Sequence, residues 1–268
     1  HRLRFGDVLG KGSGPGQLVV APLQGRGTKG PKWGEGQGVR ILVHSIPSDP
    51  FTAPWPVEVA DETLHTVHNL HVLNFDDDPA DEVVVSAWEG VFLLDRGQDG
   101  HWTRTKLGVG NQDAKPFKGA SEVKVGALSG GRRRIATIEP WHGFQVVVYA
   151  PPESGKGLWI RHVIDEGVTW GHAVWWANLD DDPDDELIIG QRDPSNVAGR
   201  TPRGPGVLVY DPKPDDLSVV AVTFKKIDDG GVAVEDLLAD DLDGDGDADL
   251  IAGGRATHNV KIYWNSRR

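Results

Sequence analysis

The chain has 268 residues, and its 40 acidic side chains outnumber the 28 basic ones, which gives a formal charge of −12 at pH 7. This charge argues against nucleic acid as a partner, because nucleic-acid binding depends on neutralising phosphates with Lys and Arg. The lack of cysteine excludes disulfides, thiolate catalysis and Cys-ligated zinc. No stretch reaches the roughly 20 apolar residues that a membrane-spanning helix needs, so no membrane span is predicted.

Short apolar runs separated by Gly, Pro and Asp recur along the whole chain and predict β-strands. They group into five units of the same plan, in the order 1–64, 65–117, 118–168, 169–230 and 231–268. The first four units each have four predicted strands, and the fourth strand of the fourth unit covers Val219–Ile227. The fifth unit stops after its third strand, Val260–Trp264.

Four-stranded units repeated end to end are typical of a β-propeller, in which each unit is a blade. A β-sandwich would not place the same loop at the same point of successive units. The predicted fold class is therefore all-β, a single β-propeller domain. The fifth unit has no fourth strand, and neither end of the chain carries a spare strand to complete it. Either the ring closes with an incomplete blade or, as we expect, the intact protein has more blades, about seven in all.

An acidic loop joins the first and second predicted strands of the second, fourth and fifth units. Oxygen donors stand at its positions 1, 3, 5 and 9, which are Asn74, Asp76, Asp78 and Glu82; Asn178, Asp180, Asp182 and Glu186; and Asp241, Asp243, Asp245 and Asp249, with the carbonyl of Asp247 as a further donor. Alternate carboxylates in a tight loop converge on one point, which suits the 6–8 oxygen ligands of Ca²⁺.

The three loops differ at position 6. The fifth-unit loop has Gly246 there, whereas the other two have Pro79 and Pro183, which cannot adopt a positive φ. Calcium is therefore predicted in the fifth-unit loop. For the other two loops, calcium and a proline-stiffened turn without an ion remain alternatives.

The run Asp241–Asp249, with Ala239-Asp240 before it and Leu250-Ile251-Ala252 after it, resembles an FG-GAP or VCBS repeat, the blade unit of integrin α-subunit heads and of many secreted propellers. The resemblance extends over the whole chain at the level of the repeat, although only the fifth unit matches closely. It implies Ca²⁺ that serves stability and an extracellular or periplasmic location. The family includes binding heads, polysaccharide lyases and the propeller part of aldos-2-ulose dehydratase, and the repeat alone does not choose among them.

His and Glu occupy the equivalent position at the start of each predicted innermost strand: His1, His68, Glu122, His172 and Glu235. Because innermost strands surround a central channel, we expect these side chains to converge at the channel mouth. Imidazole and carboxylate groups together bind a transition metal or supply a general base near neutral pH. A second divalent metal at the mouth is therefore predicted; the alternative is that each side chain only hydrogen-bonds to its neighbouring blade.

The loops between the second and third strands lie at the same end of the predicted blades. They combine aromatic, basic and acidic side chains, namely Arg26, Trp88, Glu139, Trp141, His142, Arg192, Arg255 and His258. Aromatic rings can stack on sugar faces, and arginine can hold a carboxylate with two hydrogen bonds. These loops are predicted to bind a carbohydrate or another small molecule.

The pattern predicts a carbohydrate lyase or dehydratase that acts by β-elimination. His68 or His172 would be the general base beside Glu122 and Glu235, and Arg192, Arg255 or the mouth metal would stabilise the developing enolate. The alternative is a non-catalytic module that binds a carbohydrate or another protein on the same face.

Overall fold

A computed structural model of the protein describes residues 1–12, 16–76, 78–196, 202–211 and 223–266. Within these residues the regular structure is β-sheet, apart from one 3₁₀ turn at Ser129–Gly131. No helix in this described part is both long enough and apolar enough to cross a membrane.

The strands form five antiparallel sheets, and in each sheet the strands pair in chain order. The first blade contains β1 (Arg2–Gly6), β2 (Gln17–Ala21), β3 (Ile41–Ser45) and β4 (Val57–Asp61). The second contains β5 (Asn69–Leu73), β6 (Glu82–Ala87), β7 (Gly90–Arg96) and β8 (Trp102–Gly108). The third contains β9 (Val123–Leu128), β10 (Arg132–Glu139), β11 (Gln145–Ala150) and β12 (Ile160–Asp165). The fourth contains β13 (Gly171–Ala177), β14 (Glu186–Gln191), β15 (Gly206–Asp211) and β16 (Thr223–Lys226). The fifth contains β17 (Val234–Asp240), β18 (Asp249–Gly254) and β19 (Asn259–Tyr263).

Successive antiparallel meanders of this kind are the blades of a β-propeller, so the predicted fold class is confirmed. Every strand falls inside its predicted blade unit, and the fifth sheet has three strands in the described residues. Of the strand predicted over Val219–Ile227, the part before Thr223 lies outside the described residues.

The chain divides into two compact units, His1–Val123 with the first two blades and Lys124–Arg268 with the other three. In the first unit, Val19, Val43 and Val85 belong to one core formed by both blades. In the second unit, one core contains Ile138 and Ile189, and a second contains Ile188 and Leu250. Each core joins side chains from neighbouring sheets, because a sheet buries its apolar face against the next layer.

Glycine within a strand lets neighbouring blades approach closely. Trp176 in β13 is buried against Gly126 in β9, and a Cβ at Gly126 would lie 2.4 Å from the indole ring. Gly6 in β1 likewise faces Val72 in β5, where a Cβ would lie 2.3 Å from a side-chain carbon. Any larger residue at Gly126 would displace the tryptophan from the core.

Charged links reinforce the contacts between blades. Each link joins a carboxylate at or just after the fourth strand of one blade to a basic and an aromatic side chain of the next: Glu58 to Arg96 and Trp102, Asp165 to Arg203 and Tyr210, and Asp228 to Lys261 and Tyr263. The Arg203 nitrogen lies 2.6 Å from Asp165, and the Tyr210 hydroxyl donates to the same oxygen at 2.7 Å. Burial acts to raise the pKa of Asp165, but these two hydrogen bonds, the charge of Arg203 and the backbone N–H of Gly167 together outweigh it and hold the pKa below its ordinary value.

We expect Asp165→Asn to lower the free energy of unfolding at pH 7 by roughly 3 kcal/mol, because Arg203 loses its carboxylate in a largely buried place. The folded-state pKa of Asp165 lies below the unfolded-state value, so the link stabilises above that unfolded value, about 3.9, and its contribution is lost as the pH falls through the folded value. The difference between variant and wild type should therefore shrink between pH 7 and pH 3. Urea unfolding across this range measures it.

Glu35→Gln is the control, because the Lys32–Glu35 pair is exposed and should contribute less than about 0.5 kcal/mol. Equal losses in the two variants, or a loss in Asp165→Asn that does not depend on pH, would contradict the stabilising role of the link.

Candidate functional site

Four predicted site residues lie together in the second unit, around the carboxylate of Glu235. His172 Nε2 lies 3.9 Å from Glu235 Oε1, Arg255 lies 3.7 Å from the same oxygen, and Arg192 lies 3.7 Å from Oε2. We call these four residues the Glu235 cluster. The cluster brings a base, an acid and two guanidinium groups into one place.

Neighbouring strands place the cluster. His172 and Glu235 are each the second residue of an adjacent innermost strand, β13 and β17. The backbone N–H of Arg192 donates to the carbonyl of Trp170 at 3.2 Å, and that of Arg255 donates to the carbonyl of Ala233 at 2.9 Å. The same backbone hydrogen bond in two blades therefore places an arginine next to the start of each innermost strand.

His172 is held in one tautomer. Its Nδ1 lies 2.8 Å from the main-chain carbonyl oxygen of Glu235, which can only accept a hydrogen bond. Nδ1 therefore carries the proton, and Nε2, on the side of the Glu235 carboxylate, carries the lone pair. This is the arrangement that a general base needs.

The ion pairs of Glu235 are longer than hydrogen bonds. Its Oε2 is buried and accepts no hydrogen bond from the described residues, although Arg192 lies 3.7 Å away. Arg192 is also 3.6 Å from Asp193. A buried carboxylate oxygen without a donor is costly, so a hydroxyl group or water between Glu235 and the arginine would be stabilised there.

Aromatic rings pack beside the cluster. His142 stacks on Trp141 with ring centroids 4.7 Å apart and on His172 at 5.1 Å, and Arg192 lies over the Trp170 ring at 4.5 Å. His142 and Trp170 have φ of 52° and 50°, the left-handed region that costs a non-glycine residue roughly 1 kcal/mol or more. Packing thus holds a strained backbone at the cluster. His258, also at positive φ, is exposed in the fifth blade.

Two predicted ligand contacts need correction. Trp141 is 5 % exposed and has His142 against one face, so it offers almost no surface to a sugar ring. Glu139 is fully buried within the third blade, where Arg161, Tyr149 and Thr137 all donate to its carboxylate. These three partners explain why Glu139 serves the blade and not a ligand.

A second cluster lies in the first unit, around the fully buried Glu122. His68 Nδ1 lies 2.8 Å from its carboxylate, Arg2 lies 3.4 Å from both oxygens, and Asn69 donates to it as well. His1 packs against His68 with ring centroids 4.6 Å apart. Glu122 was predicted among the catalytic residues, but its burial and its donors make it a positioning residue for His68.

The other predicted ligand-binding residues of the first unit are more exposed than this second cluster. Arg26 is exposed, and Trp88 is half-buried against Gly34, where a Cβ would lie 2.3 Å from the indole nitrogen. Trp88 therefore keeps part of its ring accessible.

Each acidic loop brings three carboxylates together, and in the fifth blade the predicted donor Asp245 is not one of them. In each loop three carboxylates lie with ligand atoms within 4.8 Å of one another: Asp76, Asp78 and Glu82; Asp180, Asp182 and Glu186; Asp241, Asp243 and Asp249. Asp245 accepts the N–H of Asp247, and the side-chain amides of Asn74 and Asn178 donate to the carbonyls of Asp78 and Asp182.

The hydrogen bonds of the acid at position 9 differ among the three loops. Glu82, Glu186 and Asp249 each accept the N–H of the residue at position 2. The second oxygen of Asp249 accepts the N–H of Asn265 at 2.8 Å, whereas Oε1 of Glu82 and of Glu186 is buried and accepts no hydrogen bond from the described residues. Burial, with a smaller contribution from neighbouring carboxylates, raises the pKa of both glutamates to about 7. A cation fits these two proline-containing loops, because it would satisfy the bare oxygens.

The sequence did not single out several residues of these clusters. Trp170, Arg2 and Asn69 each adjoin or nearly adjoin a predicted His, yet only the folded chain shows that they contact the site. Their proximity in sequence to His172, His1 and His68 is the signal that could have found them.

We expect Glu122→Gln to destabilise the protein by about 3 kcal/mol, because Arg2 and His68 lose a fully buried carboxylate. Glu89→Gln is the matched control: Glu89 also pairs with a histidine, His65, but is one-third exposed, and should cost less than about 1 kcal/mol. Urea unfolding of the two variants measures the difference, and similar losses would rule out a central role for Glu122.

Residues 33–151 match the family model of the aldos-2-ulose dehydratase β-propeller domain, a relative that the repeat also suggests. Comparison with curated proteins gives no match. Among solved structures, the intramolecular trans-sialidase from Ruminococcus gnavus, crystallised in complex with oseltamivir carboxylate, is similar with a TM-score of 0.50 and 11% identity. The similarity covers 84% of this chain and 50% of that chain, so the present chain spans about half the length of that protein. At this identity the likeness to the trans-sialidase concerns the fold alone.

Proposed function

We propose that the protein is a carbohydrate-active β-propeller enzyme that acts by β-elimination, as a dehydratase or a lyase. The observation that carries this proposal is the Glu235 cluster, in which the lone pair of His172 Nε2 lies beside two arginines and a carboxylate oxygen without a donor. The match of residues 33–151 to a dehydratase propeller domain supports carbohydrate as the substrate class.

The cluster suits the steps of an elimination. His172 Nε2 removes the proton α to a carbonyl group, and Arg192 and Arg255 stabilise the negative charge that develops on the carbonyl oxygen. The C–O bond at the β carbon then breaks as the C=C bond forms, and the leaving oxygen takes the abstracted proton back from His172, which regenerates the base. The net change is loss of water or of an alcohol. Glu235 holds both arginines in place for this charge.

Incubation of the protein with a panel of keto sugars and uronate-containing polysaccharides tests the proposal, with ultraviolet absorbance reporting the unsaturated product. We expect turnover that His172→Ala lowers at least 100-fold, because general-base catalysis contributes on that order. His162→Ala is the control, since His162 lies on β12, the outermost strand of the third blade. Absence of product across the panel, or equal loss in both variants, would contradict the proposal.

A non-catalytic carbohydrate- or protein-binding propeller is the second candidate. It is favoured by the charge balance around the cluster, because each arginine already faces a carboxylate, which reduces the positive charge that remains for an enolate. Glycan-array or pull-down binding that survives His68→Ala and His172→Ala but is lost in Arg255→Ala would support this candidate over the enzyme.

We also propose that the acidic loops bind Ca²⁺, as blades of the FG-GAP or VCBS type, and that the protein works outside the cytoplasm or in the periplasm. Extracellular calcium modules bind with dissociation constants of about 10⁻⁴–10⁻³ M, which suits loops of this kind. A second divalent metal in the Glu235 cluster is the alternative to His172 as base: His172 Nε2 and Glu235 would then be its donors, and the ion would act as a Lewis acid. Metal analysis of the purified protein tests both ions.

Calcium should stabilise the protein by mass action, by about 2.7 kcal/mol at one hundred times the dissociation constant. We expect the melting temperature to rise by several degrees between EDTA and excess Ca²⁺, and this rise to be smaller in Asp182→Asn and Asp243→Asn. Asp99→Asn is the control, because Asp99 lies in the exposed turn between β7 and β8. A melting temperature that does not respond to Ca²⁺ would exclude these sites.

A further inference from the structure

Two of the three acidic loops face an additional carboxylate from the third strand of the same blade. In the fourth blade Leu187 pairs with Tyr210, so the next residues along, Glu186 and Asp211, lie opposite each other. In the second blade Val83 pairs with Leu94, which places Glu82 opposite Asp95 in the same way. The nine-residue loop motif does not include Asp95 or Asp211.

Such a pair is unfavourable without an ion. Directly opposite residues of an antiparallel pair have Cβ atoms about 4.5–5.5 Å apart, and like charges at this distance are destabilising. Glu82 and Glu186 are 0 % and 4 % exposed, and Oε1 of each accepts no hydrogen bond from the described residues.

Carboxylates of the fourth blade line one cavity. Asp180, Glu186 and Asp211 line a cavity of about 530 Å³ together with apolar side chains that include Trp264. Lys225, which is exposed, is the single basic residue among the described residues of its lining. Three acidic groups therefore meet one base in a space large enough for an ion and its water.

The fifth blade lacks this arrangement. Leu250 pairs with Tyr263, so Asp249 lies opposite Trp264, and both oxygens of Asp249 accept backbone N–H groups. In the fifth blade the acid opposite Asp249 is Asp240, on the first strand. The position-9 acid thus keeps a bare buried oxygen in the two blades whose third strand places a carboxylate opposite it.

We propose that Asp95 and Asp211 are ligands of the divalent cation that the second-blade and fourth-blade loops bind, so that each site is built from a loop and the neighbouring third strand. The inference rests on the proposed calcium binding. Four carboxylates, Asp180, Asp182, Glu186 and Asp211, supply a hard, oxygen-only site of the kind that Ca²⁺ prefers. These two sites are expected to bind Ca²⁺ more tightly than the fifth-blade loop.

Calorimetric titration of the full chain with Ca²⁺ tests the proposal. We expect Asp211→Asn to weaken one site at least tenfold, because affinity in such sites follows the number of charged ligands. Asp181→Asn is the matched control, an exposed acid of the same loop that lies outside the three clustered carboxylates, and should change the affinity less than threefold. Asp95→Asn should repeat the effect of Asp211→Asn on the second-blade site.

Stability in EDTA separates a ligand from a structural residue. The gain in melting temperature on adding Ca²⁺ to EDTA-treated protein should be smaller in Asp211→Asn than in the wild type, because the variant binds the ion more weakly. Tb³⁺ in place of Ca²⁺ gives a second measurement, because Trp264 lines the cavity and can sensitise its luminescence. This signal should fall in Asp211→Asn.

The outcomes are distinct. A wild type that binds no Ca²⁺ would overturn the proposed calcium binding and this inference with it. Wild-type binding that is weakened by Asp182→Asn but unchanged by Asp211→Asn would overturn only the role of Asp211. An Asp211→Asn variant that is less stable in EDTA, with unchanged affinity, would likewise make Asp211 a structural residue.

Discussion

Burial of both faces of a blade is the constraint on which the rest of the structure depends. A four-stranded sheet such as β13–β16 buries side chains on its two sides, so its core exists only where neighbouring sheets cover it. Gly126 makes room for Trp176, and Asp165 and Asp228 each reach a base and a tyrosine of the next blade. Apolar packing supplies most of the stabilisation, and the buried charged links add geometric specificity, since a buried carboxylate is tolerated only with its donors in place.

The same constraint positions the candidate site. Because adjacent innermost strands must pack side by side, the equivalent second residues of β13 and β17 meet, and the main-chain carbonyl of Glu235 selects the tautomer of His172. The arginines arrive on loops that are held by backbone hydrogen bonds to Trp170 and Ala233. The site is thus built on strands, and only its charged ends belong to loops, which favours a fixed geometry.

The blades and their order could be predicted from the sequence because short apolar runs and repeated acidic loops are local signals. Residues whose surroundings come from distant strands could not. Glu139 precedes a proline and reads as a loop residue, but Tyr149 and Arg161 from the next two strands enclose it. The strained φ of Trp170 and its contact with Arg192 likewise depend on the folded loops. The His and Glu positions at the strand starts could be identified from the sequence. The sequence did not show which of the acids are buried as positioning residues and which are open to a ligand.

For the acidic loops, the local motif and the folded structure favour different sites. By sequence, Gly246 favours the fifth-blade loop and the prolines count against the other two. In the structure, the proline loops keep the same position-9 contact, and their longer glutamates retain a bare oxygen that Asp249 lacks. The register of the third strand determines whether Asp211 faces the loop, because a shift of one residue would turn Asp211 to the other face of the sheet. Under the proposed calcium binding, charge on a neighbouring strand, which no loop motif includes, would therefore determine which loop binds a cation most tightly.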